Sequence, residues 1–212
     1  VEFDVMATRD DGLILMHDDF LGRTISGEGS IGDLNVADLQ AMDAGAWFSP
    51  DYQGEPVPLF AEAADYCISS GLLMNVEIKP VPGPELRTAG LVATCCVELS
   101  PSSVLLSSFS LEALRVAKQL APDIPRAWLV ESVPDDWQQT LAILGATRLH
   151  AHADSVNHAI ISALKAEGIQ LLCYTVNDPM QALALFDMGV DAICTDRLDL
   201  IGADFFDQRG NH

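Results

Sequence analysis

Acid, acid, histidine and acid follow one another through the first seventy-nine residues, as Glu2-Phe3-Asp4, His17-Asp18 and Glu77-Ile78-Lys79. Both acidic motifs are set in short apolar runs, V-E-F-D-V-M and L-L-M-N-V-E-I-K, which read as strands. Side chains two apart on a strand share a face, so Glu2 and Asp4 point one way together, as do Asn75, Glu77 and Lys79. Carboxylates on an otherwise apolar strand are costly to bury unless paired or bound to a metal. Three of them, with no cysteine or clustered histidine nearby, form an all-oxygen donor set suited to Mg²⁺ or Ca²⁺ rather than Zn²⁺. His17 has the right chemistry for a general acid or base near neutral pH, and Lys79 for contact with an anionic oxygen. The implied reaction is attack at phosphorus, with a cation neutralising the equatorial oxygens and a histidine protonating the leaving alkoxide.

The same residues admit blander arrangements. Glu2 and Asp4 paired with Lys79 or Arg9 would form a salt-bridge network without metal, and His17 would then be a loop histidine. His150-Ala151-His152 places two imidazoles on one strand face, the start of a zinc site. No carboxylate cluster follows at usable spacing, so a mouth-lining or structural role is the expectation, with a zinc-dependent barrel hydrolase as the alternative. Ser107-Ser108-Phe109 ends a strand and is expected to shape a pocket; the G-x-S-x-G elbow of serine hydrolases is missing. Trp47 and Phe48 read as core packing, or else as a lid. His158 and His212 read as surface residues.

The elements that must hold these groups alternate regularly. After the opening strand, Arg9-Asp10-Asp11-Gly12 signals a turn and L-I-L-M-H a second extended run. Residues 20–58 are glycine-rich and irregular, with a short helix near Val36–Met42, and read as a small insertion. Helices are then predicted over 59–70, 84–98, 110–120, 135–144, 156–167 and 179–188, followed by a short closing helix. Strands are predicted over 72–78, 104–109, 126–130, 147–150, 169–176 and 190–196. Repeated helix-then-strand units indicate a parallel sheet, and the first strand makes seven. A TIM barrel needs eight, so one β/α unit is expected upstream of Val1. An open doubly wound sheet would tolerate seven, but no G-x-G-x-x-G fingerprint is present.

Bulk composition bounds the function. The chain has 212 residues, 49% of them hydrophobic, which suits one domain spanning 1–212 with a well-filled core. Thirty-one acidic against eleven basic residues give a net charge of −20, which argues against nucleic acid or an anionic membrane surface as partner. The five cysteines are odd in number, sit in core-like segments and form no C-x-x-C, so they read as reduced and buried in a cytoplasmic protein. No stretch of eighteen apolar residues suggests a membrane span.

In order along the chain stand V-E-F-D-V, D-G-L-I-L-M-H-D-D-F-L-G-R-T, G-E-G-S-I, D-A-G-A-W-F, G-E-P-V-P-L, N-V-E-I-K-P, L-L-S-S-F, Y-T-V-N and G-V-D-A-I-C-T-D. Together, from Val1 to about Phe205, they resemble the glycerophosphodiester phosphodiesterases of the bacterial cytosolic type. The resemblance implies an α/β fold, a TIM (β/α)8 barrel with a small insertion after the second barrel strand. It implies divalent-cation-dependent hydrolysis of small glycerophosphodiesters to sn-glycerol 3-phosphate and an alcohol, and leaves lysophospholipid substrates and homo-oligomerisation open. Residue by residue, Glu2, Asp4 and Glu77 match the metal ligands, His17 a catalytic histidine and Lys79 a substrate-contacting lysine. Tyr174 stands at the pocket mouth, where the family often has tryptophan. The family pairs two histidines, one activating the nucleophile and one protonating the leaving alcohol. The second belongs to a His-Arg-Gly motif with no counterpart before Val1. That motif is expected in the natural protein. If Val1 is the true start, the alternative is an inactive or ligand-binding barrel remnant.

Overall fold

Alternation along three strands organises the first half of the chain. Strand β1 (Glu2–Ala7) is followed by the short β2 (Leu13–Leu15), which returns antiparallel along β1. β1 pairs in parallel with β3 (Met74–Ile78), and β3 with β4 (Val104–Ser108). Phe3, Val5, Met74, Val76, Ile78, Val104 and Leu106 all belong to one apolar cluster. Residues between them necessarily face the other way: Glu2 and Asp4 on β1, Asn75, Glu77 and Lys79 at β3, Ser107 on β4. The sheet therefore carries an oily face for helices and a polar face for chemistry.

The computed structural model describes residues 1–80 and 85–205, and these divide into two compact units, Val1–Arg126 and the chain from Ala127 onward. In the first unit the oily face is covered by α2 (Phe60–Ser69), α3 (Glu85–Val97) and α4 (Leu111–Leu120), named after the short α1 (Val36–Gln40) upstream. Phe60, Ala64 and Cys67, then Ala89, Val92, Ala93 and Cys96, recur at helical spacing and enter the same cluster. Ser110 caps α4 by accepting from the Ala113 amide at 3.2 Å.

The glycine-rich excursion is ordered because it owns a core. Met6, Ile14, Met16, Ile25, Ile31, Leu39 and Val57 form a second buried cluster beneath it. Gly45 is required by contact rather than by φ: a Cβ there would stand 2.0 Å from the Tyr52 carbonyl oxygen. Trp47 and Phe48, expected in the core, are instead 53% and 69% exposed; they meet edge-on, and Phe48 meets Tyr52 in the same way.

From β5 (Arg126–Val130), all but its first residue in the second unit, the chain repeats helix and strand: α5 (Trp137–Leu144), β6 (Arg148–His152), α6 (His158–Ala166), β7 (Gln170–Tyr174), α7 (Pro179–Met188) and β8 (Ala192–Ile193). β5 through β8 pair in parallel, in chain order. Asn157 and Asp178 cap α6 and α7 through their side chains, and Gly189 closes α7 at φ 104°, which a side chain would resist. Strand–helix repeats with parallel pairing are the architecture of the TIM-barrel class.

Two expected elements differ. The strand predicted over 190–196 shrinks to Ala192–Ile193, because beyond it the Asp196 amide and Thr195 hydroxyl both donate to Asn177 Oδ1. The closing helix is absent through Phe205, where the chain forms turns; residues 206–212, His212 among them, lie outside the described residues. Of the cysteines, Cys67, Cys96 and Cys173 are buried as expected, whereas Cys95 is exposed on the outer side of α3 and Cys194 is half-buried. His158 is exposed. No helix among the described residues is long and apolar enough to cross a membrane.

Candidate active site

The polar face of the first unit brings the acidic motifs together. Register sets Glu2 opposite Asn75, Asp4 opposite Glu77, and Glu77 opposite Ser107. One carboxylate oxygen from each of Glu2, Asp4 and Glu77 lies within 4.8 Å of the others. Among the described residues this is the one group of three or more His, Cys, Asp or Glu side chains so arranged. Burial, reinforced by the charges of Asp4 and Glu2 and opposed by Lys79, pushes the Glu77 carboxyl up to about 8. Lys79 Nζ is 3.4 Å from Asp4 Oδ1. The expected pair between Lys79 and Asp4 thus forms beside the cluster. Arg9, the other expected partner, instead hydrogen-bonds Asn35 Oδ1 at 3.1 Å. Three hard oxygen donors this close together fit a divalent cation such as Mg²⁺ or Ca²⁺.

Lys79 joins two cavities. One of about 260 Å³ is walled by Glu77, Lys79, Ser108 and Phe109, with Asp19 across from them. The other, of about 480 Å³, is walled by His17, Asp18, Asp19, Arg23 and Lys79. Ser108 holds the floor of the first by donating to the Ile78 carbonyl at 2.6 Å and accepting from the Ser110 amide at 3.1 Å. Ser107, beside Glu77 on the strand face, is fully buried, and its hydroxyl has no hydrogen-bond partner among the described residues.

Two residues of this site were not singled out by sequence reasoning. His17 Nδ1 lies 2.8 Å from Asp18 Oδ1. Arg23 grips the same carboxylate with two bonds, Nε to Oδ2 at 2.7 Å and Nη2 to Oδ1 at 2.9 Å. Hydrogen bonds from Arg23, and then from His17, hold the Asp18 carboxyl down at about 2 despite its partial burial. The adjacency of His17 and Asp18 was a visible signal; the return of Arg23 was not.

In the second unit, Tyr174 donates its hydroxyl to the Val130 carbonyl at 3.0 Å, and its ring meets His152 edge-on with centroids 5.9 Å apart. His150 is almost fully buried, and burial pushes its imidazole down to about 3, so it is neutral. His152 Nδ1 accepts from the Asp154 amide at 3.3 Å. No third ligand joins these two histidines among the described residues.

An α/β architecture carrying three converging carboxylates and a lysine suits the chemistry of phosphate-ester hydrolysis. The chain matches the glycerophosphoryl diester phosphodiesterase family over residues 1–200. It is 30% identical to a glycerophosphodiester phosphodiesterase of Bacillus subtilis, across 94% of this chain and 74% of that one. A glycerophosphodiester phosphodiesterase of Caldanaerobacter subterraneus subsp. tengcongensis is 28% identical across 92% of this chain and 81% of its own. A solved phosphodiesterase of Oleispira antarctica, in complex with the product sn-glycerol-3-phosphate, superposes with a TM-score of 0.88 at 36% identity, over 92% of this chain and 80% of that one. The chain belongs to the glycerophosphoryl diester phosphodiesterase family.

Proposed function

We propose that this protein hydrolyses glycerophosphodiesters to sn-glycerol 3-phosphate and the free alcohol, at a site built on Glu2, Asp4, Glu77, Lys79 and His17. The observation carrying the proposal is the convergence of three carboxylates on one point, in a chain of this family. The product bound by the Oleispira antarctica relative supports the glycerol phosphate end of the substrate.

Glu2, Asp4 and Glu77 would hold a divalent cation, Mg²⁺ or Ca²⁺. Bound there, it supplies positive charge to the phosphoryl oxygens. Lys79 adds a second cationic contact for a phosphate oxygen, through the cavity it shares with His17. His17 carries a proton to or from the reacting oxygens: over the whole reaction water supplies the oxygen of the new P–O bond, the P–O bond to the alcohol breaks, and the leaving alkoxide takes a proton. Phe109 and Ser108 form an apolar and a polar wall beside the carboxylates, sized for a small substrate. The Tyr174 ring, its hydroxyl committed to Val130, is proposed to set head-group preference. Tyr174→Trp should then change KM between choline and ethanolamine diesters and leave cation binding alone.

The test is release of sn-glycerol 3-phosphate from glycerophosphocholine by the purified full chain. Activity abolished by a chelator and restored by Mg²⁺ or Ca²⁺ is the expected result. Glu77→Gln should raise the cation concentration needed for half-maximal rate at least tenfold; an unchanged requirement removes Glu77 from the ligand set.

A further inference from the structure

We propose that Asp18 and Arg23 are positioning residues that dictate which ring nitrogen of His17 handles the proton. The inference rests on the acid–base reading of His17 and adds the device that makes it work.

The chain builds this device locally. Leaving β2, residues 17–19 are followed by a loop closed by the Phe20–Ser30 bridge and by bonds from the Leu21 amide to Gly29 and from the Gly22 amide to Ile25. Ile25 is buried in the core of the insertion and pins the loop. The turn carries Arg23 back over Asp18, five residues behind it. There the guanidinium makes its two bonds to the carboxylate, and the Trp47 ring lies 6.0 Å from it on the other side.

The tautomer follows from donor counting. An ionised carboxylate only accepts, so a 2.8 Å contact between Asp18 Oδ1 and His17 Nδ1 requires the proton on Nδ1. Arg23 Nη2 also approaches Nδ1, at 3.4 Å, but an unprotonated Nδ1 would set its lone pair against Asp18 Oδ1 at 2.8 Å, so the shorter contact decides the tautomer. Nε2 is then the unprotonated nitrogen, ready to take a proton and return it. Arg23 serves this end by keeping Asp18 ionised, and so an obligate acceptor. The charged groups bordering the His17 ring are Asp18 and Arg23 in direct contact, with Asp19 and Lys79 across the shared cavity. His17 is 67% exposed and Asp18 only 20%, so the carboxylate is the fixed member and the ring the one being oriented.

A merely structural ion pair would give a different experimental signature. Pairs as exposed as Arg23 contribute little to stability, so their loss should leave folding intact. The test uses the full chain with Mg²⁺, comparing Asp18→Ala, Arg23→Gln and Arg23→Lys. Nitrogen-detected NMR of the imidazole at alkaline pH, assigned by difference from His17→Ala, reads the tautomer directly and needs no turnover. The wild type should show Nδ1–H, and Asp18→Ala should revert to the Nε2–H form favoured by free imidazole. On glycerophosphocholine, Asp18→Ala should lose about 10²-fold in kcat with KM within about twofold. Arg23→Gln should lose about tenfold, and Arg23→Lys should recover part of that, because lysine keeps the charge without the two-pronged grip. The thermal shift induced by Mg²⁺ should be the same in all variants. Nδ1–H retained in Asp18→Ala, or a fall in KM affinity without a fall in kcat, overturns the positioning role alone. Full activity in His17→Ala overturns the acid–base reading beneath it.

Discussion

Glu77 is the side chain on which burial and charge act hardest, and its behaviour with pH exposes the site. Its carboxyl is raised from an ordinary 4.5 to about 8 in the folded, metal-free protein. The folded state therefore holds a proton that the unfolded state has released, and stability falls as pH rises from about 4.5 to about 8. A divalent cation competes with that proton, so its stabilising effect should grow over the same interval. Thermal melts in chelator and in Ca²⁺, at about pH 5 and about pH 8, check this; an equal cation shift at both ends would argue that Glu77 does not bind the cation. His17→Ala should cost about 10²–10⁴ in kcat while the cation-induced shift persists. His150 acts in the opposite sense. Lowered from 6.5 to about 3, chiefly by burial, it stays neutral in the folded protein while the unfolded chain takes up a proton below 6.5. Stability is lost as pH falls through that window, by about 2 kcal/mol between pH 6.5 and about 5. His150→Asn should melt with a visibly flatter dependence across that range.

At the scale of elements, the helices and most strands were legible because their periods are written in single residues. Val76, Ile78 and Met74 alternate with Asn75 and Glu77, and that alone places the carboxylates on the face away from α2 and α3. The acidic cluster was legible for the same reason. The Asp18–Arg23 grip was not, since it depends on a loop closed by the Phe20–Ser30 bridge and a buried Ile25, neither of which has a periodic signature. The exposure of Trp47 and Phe48 escaped notice because apolar residues in an aperiodic stretch carry no facing information. The strand after Val190 was overextended, because Cys194 and Thr195 look like strand residues until Asn177 captures the backbone beyond them. Two substitutions separate sheet from insertion. Leu106→Ala, within the oily face of β4, should cost about 2–5 kcal/mol in global stability. Gly45→Ala should force the Tyr52 carbonyl away and disturb the aromatic trio, with a smaller effect on the melt; a loss as large as that of Leu106→Ala would mean the insertion and the sheet unfold as one.

Over the whole molecule, charge is the dominant imbalance. A net −20 on 212 residues means the folded chain repels itself, which weakens compaction. Raising monovalent salt from about 10 mM to about 150 mM shortens the screening length from about 30 Å to about 8 Å. The melting temperature in chelator should climb across that range; a flat or falling profile would show that pairs such as Arg87–Asp11 outweigh the general repulsion. The same field draws divalent cations toward the protein, which favours loading of the carboxylate cluster.

Trp47 gives the molecule an optical reporter. Trp128 is 8% exposed and Trp137 half-buried, so a neutral quencher dissolved in the buffer reaches the indole of Trp47 first. That indole lies near the guanidinium that grips Asp18, and the cavity it lines shares Arg23 with the one holding His17. Emission should therefore change as a non-hydrolysable diester enters, turning the intrinsic fluorescence of the insertion into a real-time signal of occupancy next door.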